Sequence, residues 1–234
     1  MLEVNNLNAA YGIIPVLHDI TFHVNKNEIV TILGSNGTGK SSILNTIQGL
    51  MKSLSGRVIF ENEAIQNLPP HRVVDGGIAL VPEGSRSFPY MTVKENLLLG
   101  AYRRAPWRKR KQSLDYVYHL FPILKMRAGM AARLLSGGEQ QMLKIGRGLM
   151  ATPKLIMVDE PSIGLAPLIV DALYETLAKL RDSGLTILLT EQNALRALQL
   201  ANRGYILKEG RIVLEGPSEE LIKNNLVKKA YLGR

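Results

Sequence analysis

The stretch Gly34-Ser35-Asn36-Gly37-Thr38-Gly39-Lys40-Ser41 places three glycines, a lysine and a hydroxyl within eight residues. This is the G-x-x-x-x-G-K-[ST] pattern, in which glycines let backbone N–H groups turn inward around phosphate oxygens. A helix starting at its end adds partial positive charge. Lys40 would then reach the β- and γ-phosphates of a nucleotide, the Ser41 hydroxyl would hold Mg²⁺, and Ser42 completes the set. Asn36-Gly37-Thr38 also matches the N-glycosylation sequon, which has no meaning inside a phosphate loop.

Leu155-Ile156-Met157-Val158-Asp159-Glu160 is an apolar run that ends in two acids. In parallel sheets ligands sit at the carboxyl ends of strands. There Asp159 would support Mg²⁺, through water, and Glu160 would orient or deprotonate an attacking water. Standing alone, the same pair reads as two solvated loop acids. Leu135-Ser136-Gly137-Gly138-Glu139 carries the capping box Ser136-x-x-Glu139, so a helix begins there. Its two glycines leave the first N–H groups bare for an anion, and Met142, Ile145 and Leu149 supply an apolar face. A capped helix with no ligand has the same local pattern.

The elements that must carry these groups follow from periodicity. Ile20, Phe22 and Val24 alternate with polar residues, and Arg57 to Phe60 follows the turn Ser55-Gly56, so the N-terminal part reads as antiparallel strands. The runs Ile29–Leu33, Ile78–Val81, Leu155–Val158 and Thr186–Leu189 are continuously apolar, as in a parallel sheet covered on both faces. Helical stretches separate them at about Gly39–Leu50, Ser136–Met150 and Pro167–Arg181. Residues from about 92 to 150 read as mainly helical, with Thr92 and Glu95 forming a second capping box. Tyr205–Lys208 and Arg211–Leu214 flank Glu209-Gly210, a hairpin signal. The expected fold is α/β: a P-loop NTPase core with a mainly parallel sheet, an antiparallel N-terminal β-subdomain and an inserted α-helical subdomain at about residues 85–150, all within one domain over 1–234.

The chain has 234 residues, 46% of them hydrophobic, enough for a sizeable core. Without cysteine it has no disulfide, thiolate zinc site or thiol nucleophile. The start Met1-Leu2-Glu3-Val4-Asn5-Asn6 does not read as a signal peptide, and no stretch approaches the ~20 apolar residues of a membrane span. The expectation is a protein that is soluble when isolated and reaches a membrane only through a partner. The net charge is +9, densest at Arg103-Arg104-Ala105-Pro106-Trp107-Arg108-Lys109-Arg110-Lys111. That run fits a solvated helix face or contact with lipid headgroups. Nucleic acid is not expected, because neither aromatic interleaving nor a helix-turn-helix pattern accompanies the charge.

Taken together, the phosphate loop, the LSGGE stretch and the acidic strand end resemble the nucleotide-binding subunits of ABC transporters, over essentially the whole chain. The resemblance implies an ATPase that binds ATP with Mg²⁺ at the cytoplasmic face of a membrane. It implies two such subunits packed head to tail, as homodimer or heterodimer. Each ATP would then lie between one subunit's phosphate loop and the other's signature, here Leu135, Ser136, Gly137, Gly138 and Glu139. Tyr11 matches the family's adenine-stacking aromatic, with a core tyrosine as the alternative. Val81–Pro89, Asp159–Pro167, Thr190–Ala194 and Lys229–Gly233 resemble the branched-chain amino-acid importer branch, and within it the shorter of two ATPase subunits. That branch implies a partner ATPase, two integral-membrane permease subunits and an external substrate-binding protein. Phe88, Pro89 and Tyr90 fall where relatives face the permease, so a permease helix is expected to dock there.

Three positions depart from the general family pattern. Glu83 stands where a glutamine usually meets Mg²⁺, Gln192 where a switch histidine lies near the γ-phosphate, and Ala166 where an aspartate follows the catalytic glutamate. Gln192 can hydrogen-bond a phosphate but cannot carry a proton charge as histidine does. Glu160 is therefore expected to be the base, with Gln192 positioning groups and Glu83 near the metal. The alternative readings are an ATPase of another ABC system, for other amino acids, amides or urea, and a soluble ABC-type ATPase acting on nucleic acid, the latter disfavoured by the single phosphate loop and the lack of sustained heptads. Asn25-Lys26-Asn27-Glu28 precedes the loop and ends in Glu, so it is not a GTPase motif.

Overall fold

The computed structural model describes residues 1–84 and 87–231, apart from the side chains of residues 104, 105 and 229–231. Ser85 and Arg86 of the importer-like stretch, and Leu232 and Gly233 of the terminal one, lie outside the described residues. The chain opens with β1 (Leu2–Tyr11) and β2 (Ile14–Val24), paired antiparallel with Val4 opposite Phe22. Alternating burial of Leu2, Val4, Leu7 and Ala9 on β1 marks a sheet with one face in the core. After β3 (Ile29–Leu33) and α1 (Lys40–Ile47), β4 (Ser53–Phe60) pairs with β1, and β5 (Glu63–Ala64) closes a four-stranded sheet of order β2-β1-β4-β5.

α2 (Pro70–Gly76) leads into β6 (Ile78–Val81). Then come α3 (Val93–Leu99), α4 (Arg104–Leu120), α5 (Pro122–Met126), a 3₁₀ turn at Ala132–Leu134 and α6 (Gly137–Leu149). β7 (Leu155–Asp159), α7 (Pro167–Asp182), β8 (Thr186–Glu191) and α8 (Ala194–Leu200) complete the alternating part. β9 (Arg203–Lys208) and β10 (Arg211–Pro217) form the expected hairpin, followed by α9 (Ser218–Lys223) and α10 (Asn225–Tyr231). The second sheet has the order β10-β9-β3-β8-β7-β6, parallel except for its edge strand β10.

Three of the four apolar runs are inner strands, β3, β7 and β8, and the fourth, β6, is an edge; all are apolar because both faces of this sheet are covered. Ile29, Leu33, Ile156, Val158, Ile187 and Leu189 pack against α3–α8. Val30, Ile32, Leu155, Met157 and Leu188 pack against α1 and the antiparallel sheet. Two strands run further than their apolar stretches, β7 through Asp159 and β8 through Glu191. Ladder pairing, not side-chain apolarity, sets their ends: Asp159 pairs with Thr190 and Glu191 with Leu33. The strand order thus puts the carboxyl ends of β3, β8 and β7 side by side.

The helices from α3 to α6 are inserted between β6 and β7. Both capping boxes form as expected, with the Thr92 hydroxyl accepting from Glu95 N at 3.2 Å and the Ser136 hydroxyl from Glu139 N at 3.3 Å. Ile145 and Leu149 of α6 are buried, with Met142 packed beside them. The Arg103 guanidinium caps the end of α2, donating to the Val74 and Asp75 carbonyls at 2.8 and 2.9 Å, so part of the basic run is structural. Arg110 lies 4.2 Å over the Trp107 ring, and Arg108, Lys109 and Lys111 are exposed.

Candidate nucleotide site

The loop between β3 and α1 turns on Gly39, the N-cap of α1, whose φ of 106° is one that L side chains rarely adopt. No side chain caps α1, so its first N–H groups stay available to a ligand. The Thr38 hydroxyl donates to the Ser35 carbonyl at 2.9 Å and tightens the turn. Lys40 is only 3% exposed. Its ammonium donates to the Gly34 and Ser35 carbonyls at 2.7 and 2.9 Å and pairs with the Glu160 carboxylate at 2.9 Å. The phosphate loop and the acidic strand end, far apart in sequence, therefore meet through their two most reactive groups.

Glu160 follows β7 with φ 43°, a left-handed conformation that costs a non-glycine residue roughly 1–3 kcal/mol. β8 holds it there. The Glu160 amide donates to the Thr190 carbonyl and hydroxyl at 3.1 and 3.2 Å. The Thr190 hydroxyl donates to Asp159 Oδ1 at 2.5 Å. Asp159 and Glu160 are consequently buried and fixed, not solvated loop acids.

Ser41, Glu83 and Asp159 line one groove of about 770 Å³, together with Lys144 and Arg147 of α6 and Phe88. A hydroxyl and two carboxylates are hard oxygen donors, the set that suits Mg²⁺. Among the described residues no three His, Cys, Asp or Glu side chains form a cage of their own. Lys144 is 9% exposed and donates to the Gly84 carbonyl at 2.7 Å, tying α6 to the turn after Glu83. Burial, then Arg147, pulls its pKa below the usual lysine value, and Glu83 acts the other way.

Glu160 also opens on a second cleft of about 360 Å³, shared with Ser162, Ile163, Glu191, Gln192 and Asn193. Gln192 is exposed there, which leaves its side-chain amide open to meet a phosphate oxygen. Glu191 and Thr190 carry the local hydrogen bonding, and the residue-by-residue reading gave them no role. The signal was present: a carboxylate ends an otherwise apolar strand.

Tyr11 ends β1 with 53% of its surface exposed, so it is not a core tyrosine. The signature residues line neither the groove nor the cleft. Gly138 is pressed on Ile169 of α7, where a Cβ would lie 2.6 Å from the Ile169 Cγ2. Glu139 accepts from the Arg127 guanidinium at 2.8 Å and from the Ser136 amide at 2.8 Å. Phe88 and Tyr90 are 50% and 85% exposed. The backbone of Phe88 is pinned by the buried Asn96 amide group, at 2.8 and 3.0 Å. Arg147 lies 5.7 Å over the Phe88 ring.

A family model described as ABC transporter matches residues 17–163. The high-affinity branched-chain amino acid transport ATP-binding protein BraG of Pseudomonas aeruginosa is 46% identical, over 100% of both chains. The probable branched-chain amino acid transport ATP-binding protein LivF of Archaeoglobus fulgidus is 37% identical, covering 100% of this chain and 99% of its own. Among solved structures, the ADP conformation of an ATP-binding cassette of an ABC transporter superposes with a TM-score of 0.86 at 29% identity, covering 100% of this chain and 99% of that one.

Proposed function

This chain belongs to the ABC transporter ATPase family, and from that premise we propose that it powers an importer of branched-chain amino acids at the cytoplasmic face of a membrane. One observation carries the chemical reading: the phosphate-loop Lys40 and the strand-end Glu160 share one buried contact at 2.9 Å, with Asp159 beside them. The family's ATPase activity needs a positioned nucleophile and neutralisation of phosphate charge.

In this reading residues 34–42 hold the ATP phosphates through backbone N–H groups, Lys40 and the Ser41 and Ser42 hydroxyls. Tyr11 stacks on adenine. Ser41, Asp159 and Glu83 would hold Mg²⁺, which when bound would supply neutralisation of the phosphate charge. Glu160 accepts the proton of the attacking water, and Gln192 hydrogen-bonds the γ-phosphate. Lys40 leaves Glu160 for the phosphates as ATP enters, which frees the carboxylate to act as base.

The signature Leu135–Glu139 lies away from this chain's own site, which supports its service to the ATP of a second ATPase subunit. ATP then binds the closed pair better than the open one, and this differential affinity drives the transporter. The groove lined by exposed Phe88, with exposed Tyr90 two residues further along the chain, takes a helix from one of two permease subunits. An external substrate-binding protein acts with them. In this reading membrane attachment runs through these partners; among the described residues no helix is long and apolar enough to cross a membrane.

The test is affinity purification of the tagged Glu160→Gln chain from native membranes with MgATP. Two polytopic permeases and a second ATPase are the expected companions. Recovery of ribosomes or nucleic acid alone would overturn the transporter reading.

A further inference from the structure

We infer that Glu191 is a positioning residue that clamps Ser162 and thereby fixes the segment from Glu160 to Ala166 against the switch residue Gln192. Glu191 is the last residue of β8 and only 1% exposed. Both of its carboxylate oxygens are used. Oε1 accepts from the Ser162 amide at 3.1 Å, and Oε2 accepts from the Ser162 hydroxyl at 2.8 Å and from the Gln192 amide at 3.2 Å. No lysine or arginine forms an ion pair with it among the described residues. Tyr174 of α7 faces the same carboxylate without closing a bond of regular geometry.

A buried carboxylate without a cation is costly, so its retention needs a compensating role. Packing alone does not require it, since Ile187, Leu188 and Leu189 of the same strand bury aliphatic side chains. Burial pushes the Glu191 carboxyl above the usual range, and the bonds from Ser162 oppose this shift. Those bonds make the role specific. β8 grips the chain after β7 at two adjacent points, Thr190 on Asp159 and Glu160, and Glu191 on Ser162. Glu160 sits between them with its left-handed φ of 43°. Gln192 is joined to the same carboxylate through its own amide. A phosphate that draws on Gln192 therefore pulls on Ser162 and on the alignment of Glu160.

The inference rests on the reading of Glu160 as the base, and its test separates the two. Glu191→Ala, Glu191→Gln, Ser162→Ala and Glu191→Ala/Ser162→Ala are assayed in the full chain for kcat and KM with MgATP, ADP affinity and Tm. Losing a buried acceptor should lower kcat by about tenfold in Glu191→Ala. KM and ADP affinity should stay within about twofold, because the phosphate loop is untouched. Ser162→Ala should lose less, and the double variant no more than Glu191→Ala, because both remove one clamp. Glu191→Gln, which keeps one acceptor oxygen, should fall between and serves if the alanine variant does not fold. Wild-type kcat in Glu191→Gln and Glu191→Ala would overturn the clamp. Additive losses, or kcat falling only in step with Tm and ADP affinity, would overturn it as well. Glu160→Gln runs in parallel: wild-type turnover there removes the base assignment, whatever Glu191 does.

Discussion

The Lys40 ammonium lies 2.9 Å from the Glu160 carboxylate, with 3% and 6% of the two side chains exposed. A pair this deeply buried gives up most of its hydration, and attraction plus further hydrogen bonds must offset that loss. Lys40 has them in the Gly34 and Ser35 carbonyls. The pair joins the loop after β3 to the acid after β7 across the end of β8, so it is structural as well as chemical.

Removing one partner leaves the other charge buried alone. Lys40→Met should therefore lower the unfolding free energy by about 3–5 kcal/mol, and Lys40→Met/Glu160→Gln should recover part of that loss. Urea unfolding of both variants reads this directly. A single variant as stable as the wild type would mean that the pair does not form in solution.

Glu160→Gln keeps the size and hydrogen bonding of the side chain and removes its basicity. If Glu160 takes the proton from water, turnover should drop by roughly 10²–10⁴-fold while ATP still binds. Single-turnover hydrolysis alongside equilibrium nucleotide binding separates the two effects. Undiminished turnover would assign the base elsewhere.

Much of this site is legible in the sequence because its chemistry sits in contiguous stretches. The phosphate loop, the acidic strand end and the two capping boxes each declare themselves within nine residues or fewer. The inner strands are legible because burial on both faces removes polar residues from whole runs. The Glu191–Ser162 clamp is not, because its bond joins residues 29 apart in sequence through the register of β7 against β8. Lys144 is hidden for a related reason. As one lysine on a helix it reads as solvated, until the fold buries it against the Gly84 carbonyl. The basic run at Arg103 likewise gives no hint that its first guanidinium caps α2.

Acid should act on the two helix caps. Burial raises the Glu139 carboxyl, but the Ser136 amide and the Arg127 guanidinium outweigh it, so its pKa lies below the usual glutamate value. Glu95 is lowered too, chiefly by the Thr92 backbone and hydroxyl. A carboxyl whose folded pKa is depressed contributes stability above its unfolded pKa and loses it as pH falls through the folded one. Glu139→Gln keeps an oxygen for the cap and loses the charge. It should be less stable than the wild type at pH near 7, by roughly 0.5–1 kcal/mol, and equal to it once the wild-type Glu139 carboxyl is protonated in both the folded and the unfolded chain. Chemical denaturation across acid pH measures the gap. A gap that widens toward acid would contradict the sign.

Tyr11 allows a cleaner separation of binding from chemistry than any residue in the groove. It stands at the tip of the β1–β2 hairpin, 53% exposed, next to Ile13 and Ile14, which are 96% and 65% exposed. Little packing depends on it, so Tyr11→Ala should change stability by no more than about 0.5 kcal/mol. Base–aromatic stacking is worth roughly 1–3 kcal/mol, so the same change should raise KM for ATP by about 5- to 150-fold. The ring does not touch the γ-phosphate in the proposed arrangement, so its binding energy is the same in ground and transition states, and kcat should hold. Tyr11→Trp should restore KM, because stacking needs a π-face and not a hydroxyl. GTP should lose affinity in parallel with ATP, since stacking tolerates any base. A fall in Tm with KM unchanged would instead make Tyr11 a packing residue and leave adenine to another part of the surface.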